Sequence, residues 1–285
     1  MRESIRIIRV SFHLIAIVSL VTSFSMGKPL QSRREAAARI VAQIQRADYE
    51  GDRTALERLY NELAALVDDK EIGARVSYWR GFAMWRKAIN GFNDSASPGE
   101  MEQSLKRAVE DFEAAMTKDP GFIDAKAARG SSMGLLMFLY SRNPELAPEY
   151  KEPARLREYV LKAIAFLSEA EAAEPENPRV LWMLGPIRWN TPPERGGGQG
   201  KAIEVYEKGL KAARARKAAA RDPLMPSWGE PELLMSLAWS SLNRSKPDFA
   251  AAEEYARSAL ALVPYWHYVK DILLPQIEAA KSKRS

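Results

Sequence analysis

The chain contains no cysteine in its 285 residues and only two histidines. Without a thiol there is no disulfide, no thiolate nucleophile, no cysteine-based zinc site and no thioester lipid anchor. His13 lies in the opening segment, so His267 alone is left, and one imidazole does not build a multi-histidine metal site. An excess of one charge is also missing. Forty-two basic residues stand against 37 acidic ones, a net charge of +5 that is too small and too mixed to mark a nucleic-acid binder. The low hydrophobicity of disordered chains is absent too, because 46% of the residues are hydrophobic and 28% charged. No sequence motif implies a cofactor.

The opening has the pattern of an export leader. Arg2, Arg6 and Arg9 precede a mostly apolar stretch from Val10 to Phe24, and small residues follow around Ser23 and Ser25. The expected signal peptide is 1–25, cut after Ser25 or after Gly27. The stretch is short and broken by Ser11, His13, Ser19 and Thr22, whereas a spanning helix wants about 20 apolar residues. No stable membrane span is therefore expected after cleavage. The destination is the periplasm if the source is Gram-negative, and secretion otherwise. With no cysteine at the cut, the bacterial lipoprotein route is closed. The sequons at Asn93 and Asn243 matter only in a eukaryotic secretory route.

Beyond the leader, apolar residues recur at intervals of three and four, alanine is abundant and β-branched runs are few. The reading is all-α, with helices over 32–48, 53–67, 71–90, 100–118, 121–141, 153–174, 178–190, 199–220, 230–243, 247–262 and 264–280. The breaks fall at Gly51-Asp52, Ser97-Pro98-Gly99, Asp119-Pro120-Gly121, Glu176-Asn177-Pro178 and Gly196-Gly197-Gly198, which is cap and turn chemistry.

A pattern repeats inside this chain of helices. Ala108, Phe112, Ala115 and Pro120 share their spacing with Ala163, Leu167, Ala170 and Pro175, and with Ala252, Ala256, Ala259 and Pro264; Ala202, Tyr206 and Gly209 form a partial copy. Small residues let two helices approach, the larger one fills the gap between them, and proline stops the helix. Ten residues beyond Pro120 and Pro175 stand Gly130 and Gly185, each inside an apolar helix where glycine costs about 1 kcal/mol against alanine. Gly81 and Ala238 hold the equivalent place in two further helices. These motifs resemble the tetratricopeptide repeat over about Ile72 to Pro264. The resemblance implies a right-handed superhelical array of antiparallel helix pairs, a TPR-like solenoid. Its expected parts are an N-terminal pair or cap over 26–70, repeats over 71–264 and a capping helix and tail over 265–285. The spacing from Pro120 to Pro175 is 55 residues, against a family period of about 34, so the array is irregular, with insertions at 91–99, 142–153 and 191–198. Pro186 is expected to kink its helix.

In such arrays the first helix of each pair faces the concave side. The resemblance implies inward positions at Arg75, Tyr78, Phe82, Trp85 and Arg86; at Asp124, Ala127, Ser131, Gly134 and Leu135; at Arg179, Trp182, Pro186, Trp189 and Asn190; and at Glu232, Met235, Trp239, Leu242 and Asn243. Four of the seven tryptophans fall on this face. Aromatic anchors with a few arginines and asparagines suit a recognition groove, and the small residues around Gly130 leave room beside them. The same stripe is equally what a core looks like if the inserted loops fold back.

Other chemistry finds less support. Residues 195–202 outline a phosphate-binding loop, but Arg195 stands at its first glycine, Ala202 at its hydroxyl position, and no strand precedes it. The basic run Lys208, Lys211, Arg214, Arg216, Lys217 and Arg221 spreads around a helix and reads as a solvated face. His267 has no nucleophile beside it in sequence. The functional expectation is a non-catalytic scaffold, without cofactor or metal, that binds a protein or peptide segment in an aromatic concave groove. The alternative is a soluble accessory of an envelope transporter that holds an apolar small molecule. An open, continuous groove favours the first, and a closed pocket favours the second.

Overall fold

The computed structural model describes the backbone of residues 27–215 and 222–283, with side chains from residue 31. The expected leader lies outside these residues, as do Arg216, Lys217 and Arg221 of the basic run. Among the described residues there are eleven α-helices and no strand: α1 (Gly27–Glu50), α2 (Arg53–Glu62), α3 (Gly73–Asn93), α4 (Pro98–Lys118), α5 (Ile123–Arg142), α6 (Pro153–Ala173), α7 (Pro178–Asn190), α8 (Gln199–Ala215), α9 (Glu230–Asn243), α10 (Phe249–Leu262) and α11 (Leu274–Ser282). None is long and apolar enough to cross a membrane.

Local chemistry sets the ends. Asp52, Ser97, Asn177 and Asp248 each accept a hydrogen bond from a first-turn amide, at Ala55, Glu100, Arg179 and Ala251 respectively. Pro98 and Pro178 sit directly after their caps, where a missing N–H costs nothing. One detail differs from the sequence reading. The last helix is not continuous: a π-helical turn spans Tyr268–Leu273 before α11 starts, next to Pro275, whose missing amide breaks the regular ladder. The glycine-rich stretch is a turn into α8, as its composition led one to expect, with Gly196 at φ 81° and Gly198 at φ 101°.

The helices pack neighbour to neighbour as antiparallel pairs, α3 with α4, α5 with α6, α7 with α8 and α9 with α10. The repeated motifs meet in space. A Cβ on Gly81 would stand 2.9 Å from the Phe112 ring, and one on Gly130 would stand 3.0 Å from Leu167 Cγ. The glycine admits the large residue of the partner helix, as the spacing predicts. The result is a TPR-like helical repeat fold with α11 packed against α10 at the C-terminal end.

Two irregularities shape the concave side. First, α6 packs along α5 but scarcely along α7, and it buries only Ala163, Leu167 and Ala170. A gap opens there between successive pairs. Second, the two ends of the array meet. Tyr49 at the end of α1 packs edge-on against Trp266 at 5.0 Å and donates a 2.7 Å hydrogen bond to Glu232 on α9.

Candidate functional site

The N-terminal half of the expected groove is occupied by the chain itself. The connection from α8 to α9 carries Leu224, Met225 and Trp228 onto the α3 face. Trp79 Nε1 donates to the Leu224 carbonyl at 2.8 Å, and Trp228 Nε1 donates to the Tyr78 hydroxyl at 2.9 Å. Phe82, Trp85 and Trp182 surround the Trp228 ring at centroid distances of 5.5 to 6.0 Å. Tyr78, Phe82 and Trp85 are thereby buried. Burial pushes the Tyr78 hydroxyl far above its ordinary range.

The arginines expected in the groove are also committed. Arg86 pairs with Asp48 of α1 at 2.8 Å, both buried. Arg179 grips Asp124 with Nε at 2.6 Å and Nη2 at 3.1 Å, a two-pronged pair inside the array. Arg75 pairs with Asp119 at 2.8 Å and lies over the Phe122 ring. Desolvation would depress the Arg86 and Arg179 guanidinium pKa values, but their carboxylate partners hold both above the ordinary range. Tyr78, Phe82, Arg86 and Arg179 are therefore buried and do not line an open groove, and half-buried Arg75 is committed to Asp119. An arginine desolvated beside its own carboxylate has no free charge for a ligand.

Open space survives at the gap between α6 and α7. A cavity of about 550 Å³ lies there, floored by Trp85 and Ile89 of α3. Gly130, Ser131, Gly134, Leu135, Met137 and Phe138 of α5 form one wall, and Val160, Ala163, Ile164 and Leu167 of α6 the next. Trp182, Met183, Pro186, Ile187, Asn190 and Thr191 close it. Nothing charged lines it. Asn190 and Thr191 each donate back to their own helix, to the carbonyls of Pro186 and Ile187. Phe138 and Ile164 remain substantially exposed at its edge.

Beyond the cavity the face of α7 continues by one turn, because Trp182, Pro186 and Trp189 follow helical spacing. Trp189 meets Trp239 of α9 edge-on at 5.1 Å, and Trp239 is 37% exposed. Half-buried Met235 lies on the same helix, and exposed Asn243 donates to the Trp239 carbonyl at 2.8 Å. The expected residues thus divide into a buried set (Tyr78, Phe82, Arg86 and Arg179), half-buried Arg75 paired with Asp119, a cavity set (Trp182 and Asn190, with Trp85 in its floor) and an outer strip (Trp189, Met235, Trp239 and Asn243).

A buried polar cluster fastens the two ends of the array. Glu232 accepts from Tyr49 and from the Gly229 amide, and desolvation raises its carboxyl pKa. Asn90 reaches the Asp48 carboxylate and carbonyl. Trp85 Nε1 and Arg86 Nη1 are buried without an acceptor. Nearby, His267 binds Asp271 at 3.0 Å and Asp94 at 3.3 Å, and these carboxylates raise its pKa. No hydroxyl nucleophile adjoins it in these contacts. Among the described residues no group of three or more His, Asp or Glu side chains is placed to hold a metal ion.

Sequence reasoning missed Trp228 and the α6 wall. Trp228 had a signal: Pro223-Leu224-Met225-Pro226-Ser227-Trp228 puts three large apolar residues in a connection, and a solvated loop does not need them. For α6 the signal was apolar positions 160, 163, 164 and 167 on one helical face, more than its partner α5 covers.

Fold and site together define an all-helical repeat protein with an apolar cavity between α5, α6 and α7. No family model matches the chain, and no curated protein matches it. The crystal structure of yeast Tom70 aligns with 93% of this chain and 70% of its own at 14% identity, with a TM-score of 0.37.

Proposed function

We propose that this chain is an exported, non-catalytic scaffold that binds through its concave side, seating an apolar ligand group in the cavity between α5, α6 and α7. The cavity carries the reading. Its volume of about 550 Å³ lies within the range of small-molecule sites, roughly 300 to 1,000 Å³. No charged side chain lines it, and its floor is held by a packed tryptophan cluster. A peptide laid along the whole concave face has no room over α3, because Leu224 and Trp228 already lie there. Export is supported by the arginine-rich and then apolar opening; an accessory role at an envelope transporter is the form of this reading that the repeat resemblance suggests.

A protein partner is favoured at the outer strip, since Trp239 is exposed beside Trp189 and such aromatics anchor interfaces. The test of the cavity uses the uncharged dye N-phenyl-1-naphthylamine. Its fluorescence should rise on the folded protein and stay low on Gly134→Leu, which fills the cavity. A dye that does not bind, or binds both proteins equally, overturns the reading.

A further inference from the structure

Resting on the cavity as the binding site, we infer that its occupant is a single-tailed anionic amphiphile, with the alkyl chain in the cavity and the head at Arg142. The first argument is polarity. Asn190 and Thr191 each donate to a carbonyl of their own helix, so the lining offers a ligand few polar groups: the Ser131 hydroxyl, the rest of the Asn190 amide, the Thr191 oxygen and the unpartnered Trp85 Nε1 in the floor. An extended peptide would bring an amide and a carbonyl at every residue into this space and leave most unpaired, at a cost of a fold-change in affinity per group. An alkyl chain brings none.

The second argument is size. A group as large as a water molecule takes roughly 30 Å³ in a liquid, so about 18 such groups fill a cavity of about 550 Å³. That matches one long alkyl chain. A helix satisfies its own backbone, but it is roughly 10 Å across, and one turn of about 5.4 Å would take most of the space. A helical partner could offer only side chains.

The third argument is charge. Arg142 lies one turn beyond Phe138, and its guanidinium stands 4.8 Å from the centre of that ring at the cavity edge. It is exposed, and it has no carboxylate partner among the described residues. The cations nearer the floor are not available: Arg86 pairs with Asp48, and its free Nη1 is sealed from the cavity. A negative head therefore finds its cation at the mouth, while the tail runs inward along Gly134.

The test measures binding of the fluorescent fatty acid cis-parinarate to the whole protein, with displacement by palmitate, lysophosphatidylglycerol and hexadecanol. Palmitate or lysophosphatidylglycerol should displace it, and whichever does so at lower concentration separates a free carboxylate from a lipid headgroup. Gly134→Leu should weaken binding at least tenfold. That variant is expected to fold, because a Cβ at Gly134 meets nothing within 4 Å and the cavity has room for the rest of the side chain. Arg142→Gln should weaken palmitate about fivefold, as expected for an exposed ion pair, and leave hexadecanol unchanged. If hexadecanol loses as much as palmitate in Arg142→Gln, or if Gly134→Leu binds as well as the parent, the inference fails. If the uncharged dye binds in the cavity but neither anionic amphiphile does, the cavity stands and the amphiphile is wrong. If nothing binds, both fall.

Discussion

Gly185 of α7 lies directly beneath the ring of Tyr206 on α8. A Cβ on that glycine would stand 2.0 Å from two ring carbons, a distance no side-chain rotation of alanine relieves. Helix propensity favours alanine over glycine by about 1 kcal/mol, so the close approach outweighs a standing preference. Gly185→Ala is expected to destabilise the protein by about 1 to 3 kcal/mol, the usual cost of overpacking. Gly134→Ala, whose Cβ meets open space, is expected to stabilise it by up to about 1 kcal/mol. Urea midpoints of the two variants should move in opposite directions. A shift in the same direction would contradict the assignment of one glycine to packing and the other to the cavity.

The buried pair of Asp124 and Arg179 makes a second expectation. Removing one partner strands the other charge in the core, at about 3 to 5 kcal/mol. Asp124 also accepts from Asn177 at 3.2 Å, so its loss leaves three donor nitrogens on two residues without this partner. Asp124→Leu alone should be severe, and Asp124→Leu combined with Arg179→Met should recover much of the loss. Denaturant unfolding of both singles and the double gives the coupling. Singles that cost less than about 1 kcal/mol, within the range of exposed pairs, would show that these groups are hydrated.

His267 ties the C-terminal turn to the end of α3 through Asp271 and Asp94. The carboxylate contacts raise its pKa above the ordinary 6.5, led by the hydrogen bond to Asp271, while partial burial opposes them. The native state therefore holds the proton to higher pH than the unfolded chain does. That contribution is complete below the unfolded pKa and is lost as pH rises through the raised folded value. Unfolding free energy measured from pH 5.5 to 8.5 should contain a decline that His267→Gln removes. A parent and variant with parallel pH profiles would refute the tie.

The repeat was readable because its cause is local. Glycine against a bulky residue at fixed spacing is written into single helices, and the structure joins Gly81 with Phe112 and Gly185 with Tyr206 accordingly. The fate of the concave face was not local. Whether Tyr78 and Phe82 meet solvent depends on where Trp228 lands, 150 residues from Tyr78. The aromatic stripe on α3 has the same spacing whether it lines a groove or a core, so periodicity could not separate the two. The cavity was half legible: the repeat resemblance implied inward positions at Gly134, Ser131, Trp182 and Asn190, whereas its opening needs α6 to stand away from α7, a property of packing between pairs.

The tryptophans carry the last prediction, because the structure sorts them by environment. Trp79 and Trp85 are fully buried, whereas Trp239 is 37% exposed. Acrylamide quenching of the parent should therefore show an accessible fraction and a protected one. Trp239→Phe should remove most of the accessible fraction with little loss of stability, since its ring leans on Trp189 at the surface. Trp228→Ala should instead cost about 3 to 5 kcal/mol, the range for deleting a large buried aromatic. It should also render Trp85 quenchable by opening the space it fills beside Phe82 and Trp182. A Trp228→Ala protein as stable as the parent, with quenching unchanged, would mean that residues 222–229 do not occupy the concave face in solution. The groove over α3 would then be open to a partner.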